Sequence, residues 1–181
     1  MAVQITYFVH GTTTDNEKEI SSGWKDVELS ELGVQQSIDL KDKIADKKFD
    51  IVFCSDLKRA AKSARLTFEG VYPIVFDKRL RECNYGTLNG ASSAIVEPMQ
   101  EDECIYKPFP EGESYEDVKK RIADFLEFLK KNYEGKHVAI VAHKAPQPIE
   151  VLLNSKTWQQ VLADDWRKRK AWQPGWGYQL I

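Results

Sequence analysis

The chain is short of several things, and each scarcity excludes a class. Cysteine occurs only at Cys54, Cys83 and Cys104, an odd number with no CxxC or metal-type spacing. No disulfide framework is therefore expected, and reduced thiols in a cytoplasmic protein are the plain reading. No apolar run reaches the length of a bilayer span, and strand-like sequence begins at once without a basic leader. Neither a membrane span nor a signal peptide is expected. An excess of either charge is missing too: 26 Lys and Arg against 28 Asp and Glu leave a formal net charge of −2. Such a chain has no general reason to bind nucleic acid or a membrane surface. Repeats, low-complexity tracts and linkers are absent, so residues 1–181 are expected to form a single domain with a sizeable core.

What is present alternates between two periods. Gln4 to Val9 reads as a buried strand. Ser30 to Ala45 reads as a helix capped by Ser30, with Val34, Ile38 and Leu40 facing inward. Phe49 to Cys54 is a second strand, Ser55-Asp56 caps a short helix through Thr67, and Pro73 to Phe76 is a third strand. Ser114-Tyr115-Glu116-Asp117 forms a capping-box signal. It opens a helix whose Val118, Ile122, Phe125, Leu126 and Leu129 keep helical spacing. His137 to Ala142 follows as a strand. The alternation predicts an α/β fold, a three-layer α/β/α sandwich around a mostly parallel central sheet. Residues 91–113 fit neither period; they are read as a cap or lid insertion, or else as a surface excursion.

Two histidines stand directly after apolar, β-branched runs: His10 after Val3 to Val9, and His143 after Val138 to Ala142. In an open α/β sheet, ligands lie beyond the carboxyl ends of the strands, so both imidazoles can meet in one crevice. Two histidines there suit phosphoryl chemistry or metal binding. No Asp/His cluster has ligand spacing, so no metal and no cofactor are expected.

Further segments follow in order. His10-Gly11-Thr12 is followed by Gly23-Trp24, Leu29-Ser30 and Gly33. Cys54-Ser55-Asp56-Leu57-Lys58-Arg59-Ala60 ends the second strand. Leu80-Arg81-Glu82-Cys83-Asn84-Tyr85-Gly86 precedes Leu88-Asn89-Gly90, and Pro110-Glu111-Gly112-Glu113-Ser114 opens the long helix. In this order they resemble the histidine phosphatase superfamily, phosphoglycerate mutase-like branch, over residues 3–150. The resemblance implies a phosphohistidine nucleophile at His10, a phosphate contact from His143, and a proton-transferring Glu82. Arg59 would hold the equatorial phosphoryl oxygens with its planar fork. Asn16 matches a phosphate-pocket position; Gly11, Thr12 and Gly23 complete the pocket, and Thr12 to Thr14 offer hydroxyl donors.

The resemblance departs at one place. The family pattern is Arg-His-Gly, whereas Val9 precedes His10. A lost charge-assisted contact is worth on the order of 1.5–3 kcal/mol, or one to two decades in rate. Lys144, where the family often has glycine, is a candidate to restore that charge as a point rather than a fork.

Each residue also has a plainer reading. Alone, His10 would be a strand-end residue and Arg59 a solvated helix residue. Glu82 would be a surface carboxylate with Arg81 as partner. His137 and Cys83 read as structural. Trp158, Val161, Leu162 and Trp166 share one helical face and read as core. Asp164 with Lys168 and Asp165 with Arg169 are spaced for exposed pairs. Arg167 to Lys170 resembles a nucleic-acid patch only superficially. The tail after Lys170 either closes over the site or makes a subunit contact.

The expected function is a histidine acid phosphatase-type phosphomonoesterase acting on a small phosphorylated metabolite. Residues 91–113 carry Glu97, Glu101, Asp102, Glu103, Glu111 and Glu113 against Lys107 alone. That favours a singly phosphorylated substrate over a bisphosphate. The alternatives are a phosphate-binding or regulatory pseudophosphatase, for which Val9 speaks, and a phosphoglycerate-type mutase. A homodimer is left open; no nucleic-acid or membrane partner is expected.

Overall fold

The computed structural model describes residues 1–143, 147–169 and 173–181. Its regular elements are β1 (Val3–Val9), β2 (Ile20–Ser21), α1 (Glu31–Lys43), β3 (Ile51–Cys54), α2 (Lys58–Phe68), β4 (Ile74–Phe76) and β5 (Ala91–Ser92). The chain continues through α3 (Ser93–Glu101), α4 (Tyr115–Asn132), β6 (His137–Ala142), α5 (Gln147–Leu153), α6 (Trp158–Ala163), α7 (Trp166–Arg169) and β7 (Trp176–Leu180). The main sheet has the order β4-β3-β6-β1-β7, and β2 pairs separately with β5. β4, β3, β6 and β1 run parallel, while β7 is antiparallel to β1. The expected α/β sandwich with a mostly parallel sheet is thus the architecture found.

Both faces of the sheet are covered, which is why β1 and β6 are almost continuously apolar. One face carries Ile5, Tyr7, Phe53, Val138 and Ile140 against Val118, Ile122, Phe125, Leu126 and Leu129 of α4. The other carries Phe8, Val52, Ala139 and Val141 against Leu40, Ile44, Ala60, Ala64 and Phe68. Ser114 caps α4 in a complete capping box with Asp117. The three cysteines are free and buried. No described helix is long and apolar enough to cross a membrane.

Several local expectations are corrected. On α1 the buried residues are Gly33, Ser37 and Leu40, while Ile38 is exposed. Small residues form the seam to α2: Ser37 Oγ donates to Ser63 Oγ at 3.2 Å, and Thr67 Oγ1 donates to the Ser37 carbonyl at 2.8 Å. The close approach rotates the apolar edge outward. α2 is not capped by Ser55-Asp56; it starts after Leu57 with no side-chain cap, and Ser55 Oγ accepts the Leu57 N–H at 3.3 Å while lying 2.8 Å from His143 Nε2. Residues 91–113 contain a helix, α3, despite Pro98 inside it.

The C-terminal aromatic stripe is also not one helix. Trp158 and Val161 are buried in α6, but the chain breaks at Asp164-Asp165. There Asp165 Oδ1 accepts the Arg167 N–H at 2.9 Å. Lys168 pairs with Glu101 at 2.7 Å and Asp164 with Lys156 at 3.5 Å; the expected pair of Asp165 with Arg169 lies outside the described side chains. The tail supplies β7, an edge strand pairing Val3 with Leu180 through Tyr7 with Trp176.

Candidate active site

Three parallel strand ends converge. β1 delivers His10, β3 delivers Ser55 and β6 delivers His143, with His10 N–H bonded to the Ala142 carbonyl (3.1 Å) and Ser55 N–H to that of Val141 (3.0 Å). The His10 and His143 ring centroids lie 5.2 Å apart, edge to face. His10 Nδ1 is 2.7 Å from the Gly11 carbonyl oxygen. A carbonyl only accepts, so Nδ1 carries the proton and Nε2 keeps its lone pair. Arg59 Nε donates to that Nε2 at 3.3 Å. Burial and, secondly, the Arg59 charge lower the His10 pKa to about 3. The imidazole is therefore neutral across the physiological range.

His143 is 3 % exposed. Its Nε2 lies 2.8 Å from the fully buried Ser55 Oγ, and Tyr7 donates its phenolic O–H to the His143 carbonyl at 3.0 Å. Nδ1 has no hydrogen-bond partner among the described residues. Burial, then the neighbouring Arg59 and His10, hold its pKa well below the ordinary value.

Arg59 is 3 % exposed and is fixed on three sides. Besides His10, its Nη2 donates to the Gly23 carbonyl at 2.7 Å and its Nη1 to that of Lys25 at 3.2 Å. Gly23 has φ +53°, and a Cβ there would stand 1.9 Å from Asn89 Oδ1. Only glycine presents its carbonyl at that point without strain. Asn89 Oδ1 accepts from Trp24 N–H (3.1 Å) and Tyr85 N–H (3.0 Å), which joins this loop to the one bearing Glu82.

Glu82 is held mainly through its backbone. Its carbonyl accepts from Trp24 Nε1 at 2.7 Å and from Arg121 Nη2 at 2.9 Å; its Oε1 accepts the Cys83 N–H at 2.8 Å. Arg121 also binds the Arg79 and Arg81 carbonyls (2.6 and 2.7 Å), and Glu113 grips it at 2.9 and 3.0 Å. Arg81 is not the partner of Glu82. It pairs with Asp56 through two 2.7 Å bonds and stacks over Trp24.

A cavity of about 610 Å³ opens in front of these groups, lined among others by His10, Gly11, Thr12, Asn16, Gly23, Arg59 and Glu82. The Thr12 hydroxyl is committed: it donates to Gln36 Oε1 at 3.0 Å. Asn16 Oδ1 accepts the Thr13 N–H at 2.9 Å, which leaves the amide nitrogen as its donor end. Val9 also lines the cavity and packs against the core. Lys144 lies outside the described residues. Among those residues, no group of three or more His, Cys, Asp or Glu converges as a metal site. Sequence reasoning missed Ser55, Tyr7, Arg121 and Arg167, none of which sits in a local pattern that names its partner.

The arrangement can attack phosphorus with an unprotonated, pre-oriented imidazole nitrogen, hold anionic oxygens with a buried guanidinium, and transfer protons through a carboxyl group. The sequence profile of the histidine phosphatase superfamily (branch 1) matches residues 7–171. The chain belongs to that superfamily. It is 36% identical over 110 residues to a 2,3-bisphosphoglycerate-dependent phosphoglycerate mutase of Streptococcus agalactiae, an alignment covering 58% of this chain and 48% of that one. The chain thus spans about half the length of that curated relative. To the mutase of Allorhizobium ampelinum it is 28% identical, over 85% of this chain and 81% of the other. Among solved structures, the alpha-ribazole phosphatase of Shigella flexneri superposes with a TM-score of 0.75 at 22% identity, covering 90% of this chain and 84% of that one. A phosphoglycerate mutase of Bacillus anthracis superposes with a TM-score of 0.72 at 22% identity, covering 85% and 81%. These likenesses establish the shared fold.

Proposed function

We propose that this superfamily member is a phosphomonoesterase that hydrolyses a small phosphorylated metabolite through a phosphohistidine on His10. The observation that carries the reading is the His10 tautomer: Nδ1–H tied to the Gly11 carbonyl, Nε2 turned to Arg59. Nε2 attacks phosphorus in line while the ester P–O bond breaks, and Glu82 in its acid form protonates the leaving oxygen. Glu82, now a carboxylate, then takes a proton from water as that water attacks phospho-His10, releasing inorganic phosphate and neutral imidazole. Arg59 and His143 stabilise the equatorial oxygens, and the Asn16 amide nitrogen completes the cradle, since the Gly11 and Thr12 N–H groups already bond Ser63 Oγ (3.0 Å) and Gln36 Oε1 (2.9 Å). Val9 contributes no charge, so Arg59 is the guanidinium that bonds directly to the nucleophile among the described residues. Residues 91–113 form one wall of the cavity through Ser93, Glu97 and Gln100, consistent with a capping role. The test is hydrolysis of p-nitrophenyl phosphate with chelator present, beside His10→Ala. Turnover that disappears in the variant supports the reading; equal rates in both proteins reject it.

A further inference from the structure

The far wall of the cavity has chemistry that phosphoryl transfer does not use. Arg167, at the start of the short C-terminal α7, lines the same space as His10 and Arg59, as do Glu97 and Ser93 of α3. Its guanidinium is not loose. Asp165, only 1 % exposed at its side chain, accepts from Nη2 at 2.5 Å and from Nε at 3.1 and 3.2 Å. Glu97 accepts from Nη1 at 3.3 Å. Two elements distant in sequence are thereby joined, and a neighbouring pair, Lys168 with Glu101, reinforces the joint.

Among the described residues, this wall presents the Arg167 guanidinium and the Glu97 carboxylate, with the buried Asp165 behind the guanidinium. A second anionic group on a substrate would have to displace Glu97 from Nη1 and then lie beside the Glu97 carboxylate, facing a guanidinium already neutralised by Asp165. A hydroxyl group meets no such conflict, because it can donate to the Glu97 carboxylate while accepting from the Arg167 fork. Adjacent hydroxyls match such a fixed row of donors and acceptors well. The cavity is also far larger than a phosphate group requires, so a sizeable leaving group has room beside it.

We infer that the Arg167–Glu97 wall is the leaving-group subsite and selects a neutral, hydroxyl-rich phosphomonoester, such as a sugar or polyol monophosphate, over one carrying a second phosphate or a carboxylate. The inference rests on the phosphatase reading for the position of the phosphate, yet it concerns recognition, so binding can test it apart from turnover. In His10→Ala, which retains the wall but lacks the nucleophile, glucose 6-phosphate should bind about tenfold or more tightly than fructose 1,6-bisphosphate or 3-phosphoglycerate by calorimetry. Adding Glu97→Gln, which keeps the shape and removes one carboxylate, should narrow that preference severalfold, with the melting temperature confirming that the variant is folded. Arg167 itself is left intact, since removing it would strand the buried Asp165. Equal or tighter binding of the carboxylate or bisphosphate ligand overturns the inference, as does a preference that Glu97→Gln leaves untouched. Wild-type protein that binds glucose 6-phosphate with this selectivity but hydrolyses no ester would reject the phosphatase reading and keep the subsite.

Discussion

Lowering the pH should leave His10 neutral long after an ordinary histidine has charged. Burial and the Arg59 guanidinium bring its pKa from 6.5 to about 3. At pH 5 an unperturbed imidazole is roughly 97 % protonated, whereas one with a pKa near 3 is about 1 % protonated. Were His10 ordinary, the reactive fraction would fall about 25-fold between neutral pH and pH 5, and kcat/KM with it. The chain has only three histidines, so long-range proton–nitrogen correlation spectra contain three imidazole patterns, and His10→Ala assigns one of them. The expected pattern is Nδ1–H with a bare Nε2, persisting to pH 5. Arg59→Met removes the second cause of the depression and leaves the first, so the pKa should rise without reaching 6.5. The same depression destabilises the fold in acid: His10 takes up its proton more readily unfolded, so its contribution is full above about pH 6.5 and is lost as the pH falls toward 3. A urea midpoint declining through that window is expected. Half-protonation of folded wild-type His10 between pH 6 and 7 would show that neither burial nor Arg59 depresses it.

Three further outcomes are expected. Ser55→Ala removes the Oγ beside His143 Nε2 in a fully buried position; kcat should drop roughly tenfold, about 1.4 kcal/mol, and the melting temperature should fall as well, because a buried imidazole nitrogen is left unpaired. Gly33→Ala would place a Cβ 1.9 Å from the Thr12 carbonyl oxygen, so the loop after His10 must shift, and both melting temperature and kcat/KM should fall. Ser114→Ala breaks the capping box of α4 and leaves the Glu113 to Arg121 clamp untouched. It should cost about 1 kcal/mol, or roughly 2–4 °C in melting temperature, at unchanged kcat.

Much of the scaffold was legible because its determinants are local. The buried runs before His10 and His143 and the box at Ser114 each declare themselves within a few residues. Ile38 was misread because helical periodicity cannot anticipate that Ser37, Ser63 and Thr67 would form the α1–α2 seam. The C-terminal helix was drawn too long because Asp165 caps α7 through its side chain, ending one helix and starting another. β7 was overlooked although Trp176, Tyr178 and Leu180 alternate with Gly177 and Gln179. Within the site, the motifs named His10, Arg59 and Glu82, which the fold brings to one cavity. Ser55 and Arg121 act through partners 88 and 39 residues away in the chain, and Arg167 approaches from outside every motif. Contacts of that range belong to the topology and leave no spacing to read.

Phosphohistidine formation on His10 is tested most directly by the acid and base stability of the phosphoenzyme. Wild-type protein is mixed with a radiolabelled phosphomonoester, quenched within the first turnover and digested to locate the label. Label is expected on the peptide bearing His10, stable in base and lost in acid, and absent from His10→Ala. Steady hydrolysis of the ester with no label on His10 at any quench time would contradict it.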